Sequence, residues 1–456
     1  MNRIFRNIRA LVLLVVCFSV TAASASAQTI VRDAEIENLI RSYVAPIFKA
    51  AGLNPRNQRI YMIQDDRLNA FVIPGGDMFI NTGLLIRTED PLQLIGVMAH
   101  ETGHIAGGHY IGRERELANA QITALAATLL GIGAAVLSGQ GGAAVAGASL
   151  GQQAGMSSLL SYSRSQEAAA DQAGVSYLQR AQLSPKGLLE FMEILQNEEV
   201  LIAAPNQDPY LMTHPLTRER VAFLEQAVAQ SPYNNKPIPP EMLAEHARMR
   251  AKLIGYLKPQ IVPQVYPASD TGLPARYARA IAAYRLGHID DSLQQFDALL
   301  RDYPRDAYMH ELKAQILLEN GRVAEAADSY GKAVELRPDE PLLHLSLAQA
   351  LVEQNTPATD RASLPHTDFV LAREPDSGFA WRLKAIAEGR LGDKGEAALA
   401  LAEMNYANGD PEEAQRQAKR ALALLPAGSA SALRAADLEA VAGREADDRA
   451  KERGRR

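Results

Sequence analysis

A spacing of 34 residues organises the C-terminal part of this chain. Gly287 and Gly321 are 34 apart, as are Pro304 and Pro338, and each glycine precedes its proline by 17. Ala280 and Ala314 keep the same register, and Phe296 answers Tyr330. Small residues at a helix crossing and proline at the end of each period describe a helix-turn-helix unit. Such a unit cannot bury its apolar face alone and must stack on its neighbours. An ordinary helical bundle would explain the helices but not the recurrence. The third unit is longer, with Pro375 coming 37 after Pro338, and spacings of 17 then recur through Gly392, Gly409 and Pro426.

This period is the tetratricopeptide signature. It predicts an all-α solenoid over 273–439, with grooves suited to another protein. The end, "READDRAKERGRR", has no apolar stripe, so 440–456 are expected to be a disordered charged tail. Upstream, prolines crowd 231–272 around one helix, from Glu241 to Leu257, which marks a linker. A separate domain is expected over 28–230.

The first 27 residues stand apart. Arg3, Arg6 and Arg9 precede an apolar run from Ala10 to Val20, and Ala25-Ser26-Ala27 follows before Gln28. This is the pattern of a cleaved secretory signal peptide, with an uncleaved anchor helix as the alternative. Cys17, the only cysteine, lies inside this segment after Val16, where a lipoprotein signal needs a small residue. The mature chain then has no cysteine, which suits an oxidising compartment without disulfide stabilisation. A net charge of -6 over 456 residues gives no basic footprint for nucleic acid.

Within 28–230, Asp33 to Leu53 predicts an amphipathic helix. "RIYMIQDDRLNAFVIPGGDMFINTGLL" predicts two or three short antiparallel strands around a glycine-rich turn. "DPLQLIGVMAHETGHIAGGH" returns to helical spacing. "SRSQEAAADQAGVSYLQRA" predicts another helix, and a further one follows Ser184 as N-cap, with Pro185 at its first position. The segment from Ala118 to Leu160 is rich in alanine, glycine and aliphatics. Its uncharged stretch, Ile122 to Ser138, is short for a membrane span, so a hairpin or lid and an inserted segment both remain as readings.

The chemistry concentrates in "AHETGH". His100 and His104 are four residues apart, hence about 40° apart around a helix, and point the same way. Glu101 completes the H-E-x-x-H pattern of zinc hydrolases. Zinc held by three protein ligands, with one open position, lowers the pKa of water to about 7. Glu101 is placed to take the proton from that water and give it to the leaving amine. His109 falls one residue short of the metzincin spacing. On a continuing helix it would lie about 140° from His104, facing away, which makes it a helix-end residue dispensable for zinc. The other source of a third ligand is a carboxylate on a later helix. Glu167 and Asp171, four apart in "SRSQEAAAD", share a face, though two acids on a solvated helix face would give the same pattern.

"NAFVIPGGDMFINTGLL", "LIGVMAHETGHIAGGH", "SRSQEAAAD" and "THPLTRERV" occur in this order in the zinc metallopeptidases that include the CAAX-prenyl proteases and HtpX. The chain resembles that family, and with its signal and repeats it is similar to the periplasmic members. The resemblance implies an α+β zincin-like metalloprotease domain, mainly helical with a small antiparallel sheet, ahead of the all-α tetratricopeptide solenoid. It implies one zinc (Zn2+) per chain held by His100, His104 and Glu167, with Glu101 as general base and Asp171 orienting a ligand histidine. It implies that His214 contacts the zinc and occupies the open position until displaced, and that Arg220 sits in a structural ion pair. It also implies that Asn69 to Ile73 is an edge for strand addition by extended substrate. The implied substrates are misassembled outer-membrane proteins, and the implied partner of the repeats is the outer-membrane barrel assembly machinery. Two rivals differ in kind. One is a non-catalytic periplasmic chaperone or scaffold with a structural metal; the other is a membrane-embedded protease resting on Ile122 to Ser138.

Overall fold

The computed structural model describes residues 30–73, 75–109, 164–201, 210 and 214–453. The signal segment, Ile122 to Ser138 and the rest of the expected lid lie outside these. The chain divides into two compact units. One comprises Val44–Lys236 with the strand ahead of residue 33; the other comprises Pro237 onward together with Asp33–Tyr43.

The first unit carries a four-stranded sheet among its described residues, in the order β1-β2-β4-β3. The strands are β1 (Ile30–Val31), β2 (Ile60–Ile63), β3 (Ala70–Val72) and β4 (Met78–Asn81). The sheet is mixed, which corrects the expected antiparallel one: β2 pairs parallel with β4, while β1–β2 and β3–β4 are antiparallel. The reason lies in the β2–β3 connection. Gly83 N–H donates to Asp65 O, and Asp65 N–H donates to Thr82 Oγ1. These bonds hold the connection against the end of β4, so β4 enters between β2 and β3 and leaves β3 at the edge. Alternation along β4 buries Met78 and Ile80. The intervening Phe79 stacks between Tyr61 and Phe71 on the opposite face, each 5.1 Å away.

Helix α1 (Ala34–Ala50) lies between β1 and β2 in the sequence, and α2 (Thr82–Arg87) and α3 (Pro91–Gly107) follow β4. Helix α3 begins with a capping box, in which the Asp90 side chain accepts from backbone N–H groups and Gln93 reaches back. Pro91 occupies its first position. The helix is buried on all sides, from Leu94 through Ile105, because it packs against β3 and against α5 (Lys186–Leu201). Helix α4 covers residues 164–180, and the Ser184 hydroxyl accepts from Lys186 N–H at the start of α5.

The second unit is a stack of helical hairpins in the expected period. They are Leu273–Arg285 with Ile289–Asp302, Ala307–Glu319 with Val323–Leu336, Pro341–Glu353 with Pro357–Leu371, and Gly378–Leu391 with Lys394–Ala407. The longer third unit turns on Asn355, at φ 55°, instead of a glycine, and its second helix starts from a Thr356 capping box. The helix in the proline-dense stretch, Pro240–Leu257, packs on the first hairpin. The final helix runs from Ala430 to Arg453, through residues expected to be a disordered tail. Packing explains the start of that helix, since Ala435, Leu438 and Ala442 are buried, and the charged end continues it.

Residues 33–43 lie along this unit. Ala34 packs with Ala307, Tyr308, Leu342 and Leu343. Lys252 Nζ reaches Asp33 at 2.7 Å and Glu35 at 3.0 Å, and Tyr277 donates to Glu35 at 2.9 Å. The first helices of successive hairpins are thus in contact with the protein's own N-terminal segment. Among the described residues, no helix is long and apolar enough to cross a membrane.

Candidate metal centre

Helical periodicity presents His100 and His104 on one face of α3, with their Nε2 atoms 3.1 Å apart. The third donor, Glu167, arrives by close packing of α4 on α3. A Cβ at Gly103 would lie 2.7 Å from Ala170 O and 2.9 Å from Ala170 Cα. The missing side chain therefore lets α4 descend until Glu167 faces both histidines. Glu167 Oε2 is 3.3 Å from His100 Nε2, and Oε1 is 3.3 Å from His104 Nε2. His214 completes the group, with Nδ1 3.1 Å from Glu167 Oε2 and 3.4 Å from His100 Nε2. One ligand atom from each of the four residues lies within 4.8 Å of the others, and all four residues are buried.

These separations suit a metal ion. Zinc bonds of about 2.0–2.1 Å in tetrahedral geometry place neighbouring donors about 3.3 Å apart. Two imidazoles and a carboxylate, with a further imidazole at the fourth corner, are donors zinc accepts. Both Glu101 oxygens are buried with no hydrogen-bond partner. A carboxylate left this way needs a proton, an ion or a water beside it.

Asp171 lies behind His100, where its Oδ1 is 2.8 Å from His100 Nδ1. This leaves Nε2 facing the other donors. Burial opposes a charge on His100, but the hydrogen bonds from Asp171 and Glu167 outweigh it and raise the imidazole to about 9. For His104 burial prevails and lowers it to about 3, so this imidazole is neutral without a metal, whereas His100 must give up a proton before it can bind one. Burial also works against the Glu167 and Asp171 carboxylates. The neighbouring histidines overcome this at Glu167, and the His100 and Arg220 hydrogen bonds overcome it at Asp171, so both remain ionised. Glu101 is raised by burial, a shift in the direction a general base needs.

All the sequence candidates meet here: His100, Glu101, His104, Glu167, Asp171 and His214. Arg220 joins them in the ion pair expected of it, with Asp171 and also with Glu167 at 2.9 Å. Tyr210 was not anticipated. Its ring stacks on His214 at 4.5 Å, and no sequence spacing signals the contact. His109 does not face away. Gly108 adopts a left-handed conformation, φ 60°, and ends α3, so the helical angle no longer applies. His109 Nδ1 comes back to 3.0 Å from His104 Nδ1.

Comparison with known proteins agrees with this geometry. Residues 31–228 match Peptidase family M48, and residues 277–341 match the Tetratricopeptide repeat family. The chain is 25% identical over 352 residues to the beta-barrel assembly-enhancing protease of Yersinia pestis, covering 75% of this chain and 70% of that one. The protein of the same name from Escherichia coli K12 is 27% identical over 356 residues, with the same coverage. A mitochondrial metalloendopeptidase of Schizosaccharomyces pombe is 27% identical over 191 residues, covering 40% of this chain and 52% of that one. The chain is thus a metalloendopeptidase whose residues 31–228 match Peptidase family M48, with tetratricopeptide repeats behind them.

Proposed function

We propose that this protein is a zinc-dependent endopeptidase of the periplasm that removes misassembled outer-membrane proteins and assists their assembly through its repeats. The observation that carries the reading is the four-donor cluster with the buried Glu101 carboxylate beside it, 3.6 Å from His214 Nε2 and without a hydrogen-bond partner. In this reading His100, His104 and Glu167 hold the zinc. The bound ion supplies Lewis acidity for the peptide carbonyl and acidifies water. Glu101 takes the proton from the attacking water and returns it to the leaving amine. Asp171 fixes the tautomer of His100, and Arg220 keeps Asp171 ionised.

His214 is the regulatory member of the site. Catalytic zinc sites keep one position open, whereas four protein ligands describe a structural site. A fourth donor held against Tyr210 closes the site until substrate displaces it. Extended substrate then adds to β3, the edge strand, by backbone pairing. Chains that have failed to complete a barrel present such unpaired strands. The relatives' name, beta-barrel assembly-enhancing protease, supports this substrate class and the barrel assembly machinery as partner of the repeats. The arginine-flanked apolar run and Ala25-Ser26-Ala27 support export through a cleaved signal.

The test uses the purified chain loaded with one zinc and supplied with an unfolded barrel protein. Cleavage is expected from wild type and not from Glu101→Gln. Equal activity in the two would overturn the reading.

A further inference from the structure

The two ligand histidines have the same construction, and only one outer partner has been accounted for. His100 turns Nε2 toward the other donors and gives Nδ1 to Asp171. His104 also turns Nε2 inward, toward His100 and Glu167. Its outward Nδ1 meets His109 Nδ1 at 3.0 Å, ring to ring at 78°. We propose that His109 is the positioning residue of His104, accepting its Nδ1–H and thereby holding Nε2 toward the metal. The proposal rests on the zinc reading above and adds a residue to it.

The local sequence is built for this contact. After His104 the helix needs to stop within a turn, and Gly108 does so in the left-handed region, its N–H donating to His104 O and Ile105 O. That turn brings the His109 ring over Gly107. A Cβ there would be 2.5 Å from His109 Nε2, so the ring occupies the space a side chain would fill. Helix α4 pins the same residue from the other side: Gln166 Nε2 donates to the His109 carbonyl at 3.3 Å, next to Glu167 in sequence. With Nε2 engaged by the metal, the proton of His104 must sit on Nδ1. An imidazole nitrogen is then an adequate acceptor, and without one the buried N–H loses its partner.

Outer partners of this kind change metal affinity about 10- to 100-fold when removed. The test measures zinc dissociation by chelator competition in the full-length protein, alongside melting of the metal-free form. His109→Leu is expected to weaken zinc binding by about that factor, with the metal-free melting temperature unchanged. His109→Asn, which keeps an acceptor near the Nδ1 position, is expected to restore most of it. Gly107→Ala, which displaces the ring without removing it, is expected to weaken binding like His109→Leu. Wild-type affinity in His109→Leu, with zinc bound in the wild type, overturns this inference alone. Equal loss in His109→Leu and His109→Asn overturns it too, because packing and not the acceptor would then be responsible. A wild type that binds no zinc overturns the zinc reading and this inference together.

Discussion

Arg220 grips Asp171 through both carboxylate oxygens, Nε to Oδ2 at 2.7 Å and Nη2 to Oδ1 at 2.9 Å, with both side chains buried. Asp171 Oδ1 also holds His100 Nδ1, so one guanidinium is joined through one carboxylate to a ligand imidazole. Arg220→Ala would leave Asp171 and Glu167 as buried carboxylates short of a cation. The expected cost is about 3–5 kcal/mol, measured by urea denaturation, together with weaker metal binding. Adding Asp171→Asn to Arg220→Ala should recover part of the stability, because one stranded charge is gone. A double variant no more stable than the single one contradicts this account.

The packing of α4 on α3 depends on Gly103. Alanine is the better helix former by about 1 kcal/mol, so a free helix would gain from Gly103→Ala. Here the added methyl meets Ala170 backbone atoms at 2.7 and 2.9 Å and pushes Glu167 away from the histidines. The expected result is a lower melting temperature and at least tenfold weaker metal binding, on the order of losing an orienting contact. Unchanged or improved stability would show that the two helices separate without penalty.

Removing the fourth donor should separate binding from inhibition. In His214→Ala, three ligands remain and the metal stays bound at one per chain, with faster cleavage of an unfolded substrate. Metal analysis and initial rates decide the matter. Loss of both metal and activity would make His214 an obligatory ligand and refute its gating role.

In the second unit, Asp306 accepts from Arg248 Nη2 at 2.9 Å and caps the helix Ala307–Glu319. Burial pushes its carboxyl up, but Arg248 outweighs this and the net shift is downward. A depressed carboxyl stabilises the fold above its unfolded value of about 3.9, and that contribution is lost as pH falls through the folded value. Asp306→Asn keeps a capping side chain and removes the charge. The variant should lose stability at neutral pH and show a flatter acid limb. Trp381, the only tryptophan, lies in this unit and reports the transition by fluorescence. An acid limb as steep as that of wild type would refute the assignment.

The legible parts of this protein were those set by local rules. The 34-residue period, the capping signal at Ser184, and the pairing of His100 with His104 follow from spacing along one helix or one hairpin. The pairing of Glu167 with Asp171 was also readable as a shared face. What that face touches was not, because the contact depends on α4 meeting α3 at Gly103, and a glycine inside a zinc motif carries no sequence mark of its neighbour. The mixed sheet escaped for a similar reason. Strand propensity and turn residues were read correctly, but the insertion of β4 between β2 and β3 follows from hydrogen bonds between Asp65 and Thr82–Gly83.

His109 marks the boundary between the two kinds of information. Its angle from His104 was derived correctly for a continuing helix, and the helix stops at Gly108. The sequence by itself determined which residues can do the chemistry: two imidazoles a turn apart, a carboxylate between them, and a repeat unit that must stack. Only the tertiary structure decided which outward nitrogen is held by what. A hydrogen bond between side chains depends on the path of the backbone after a helix ends and on how closely two helices approach, and neither is encoded in a period.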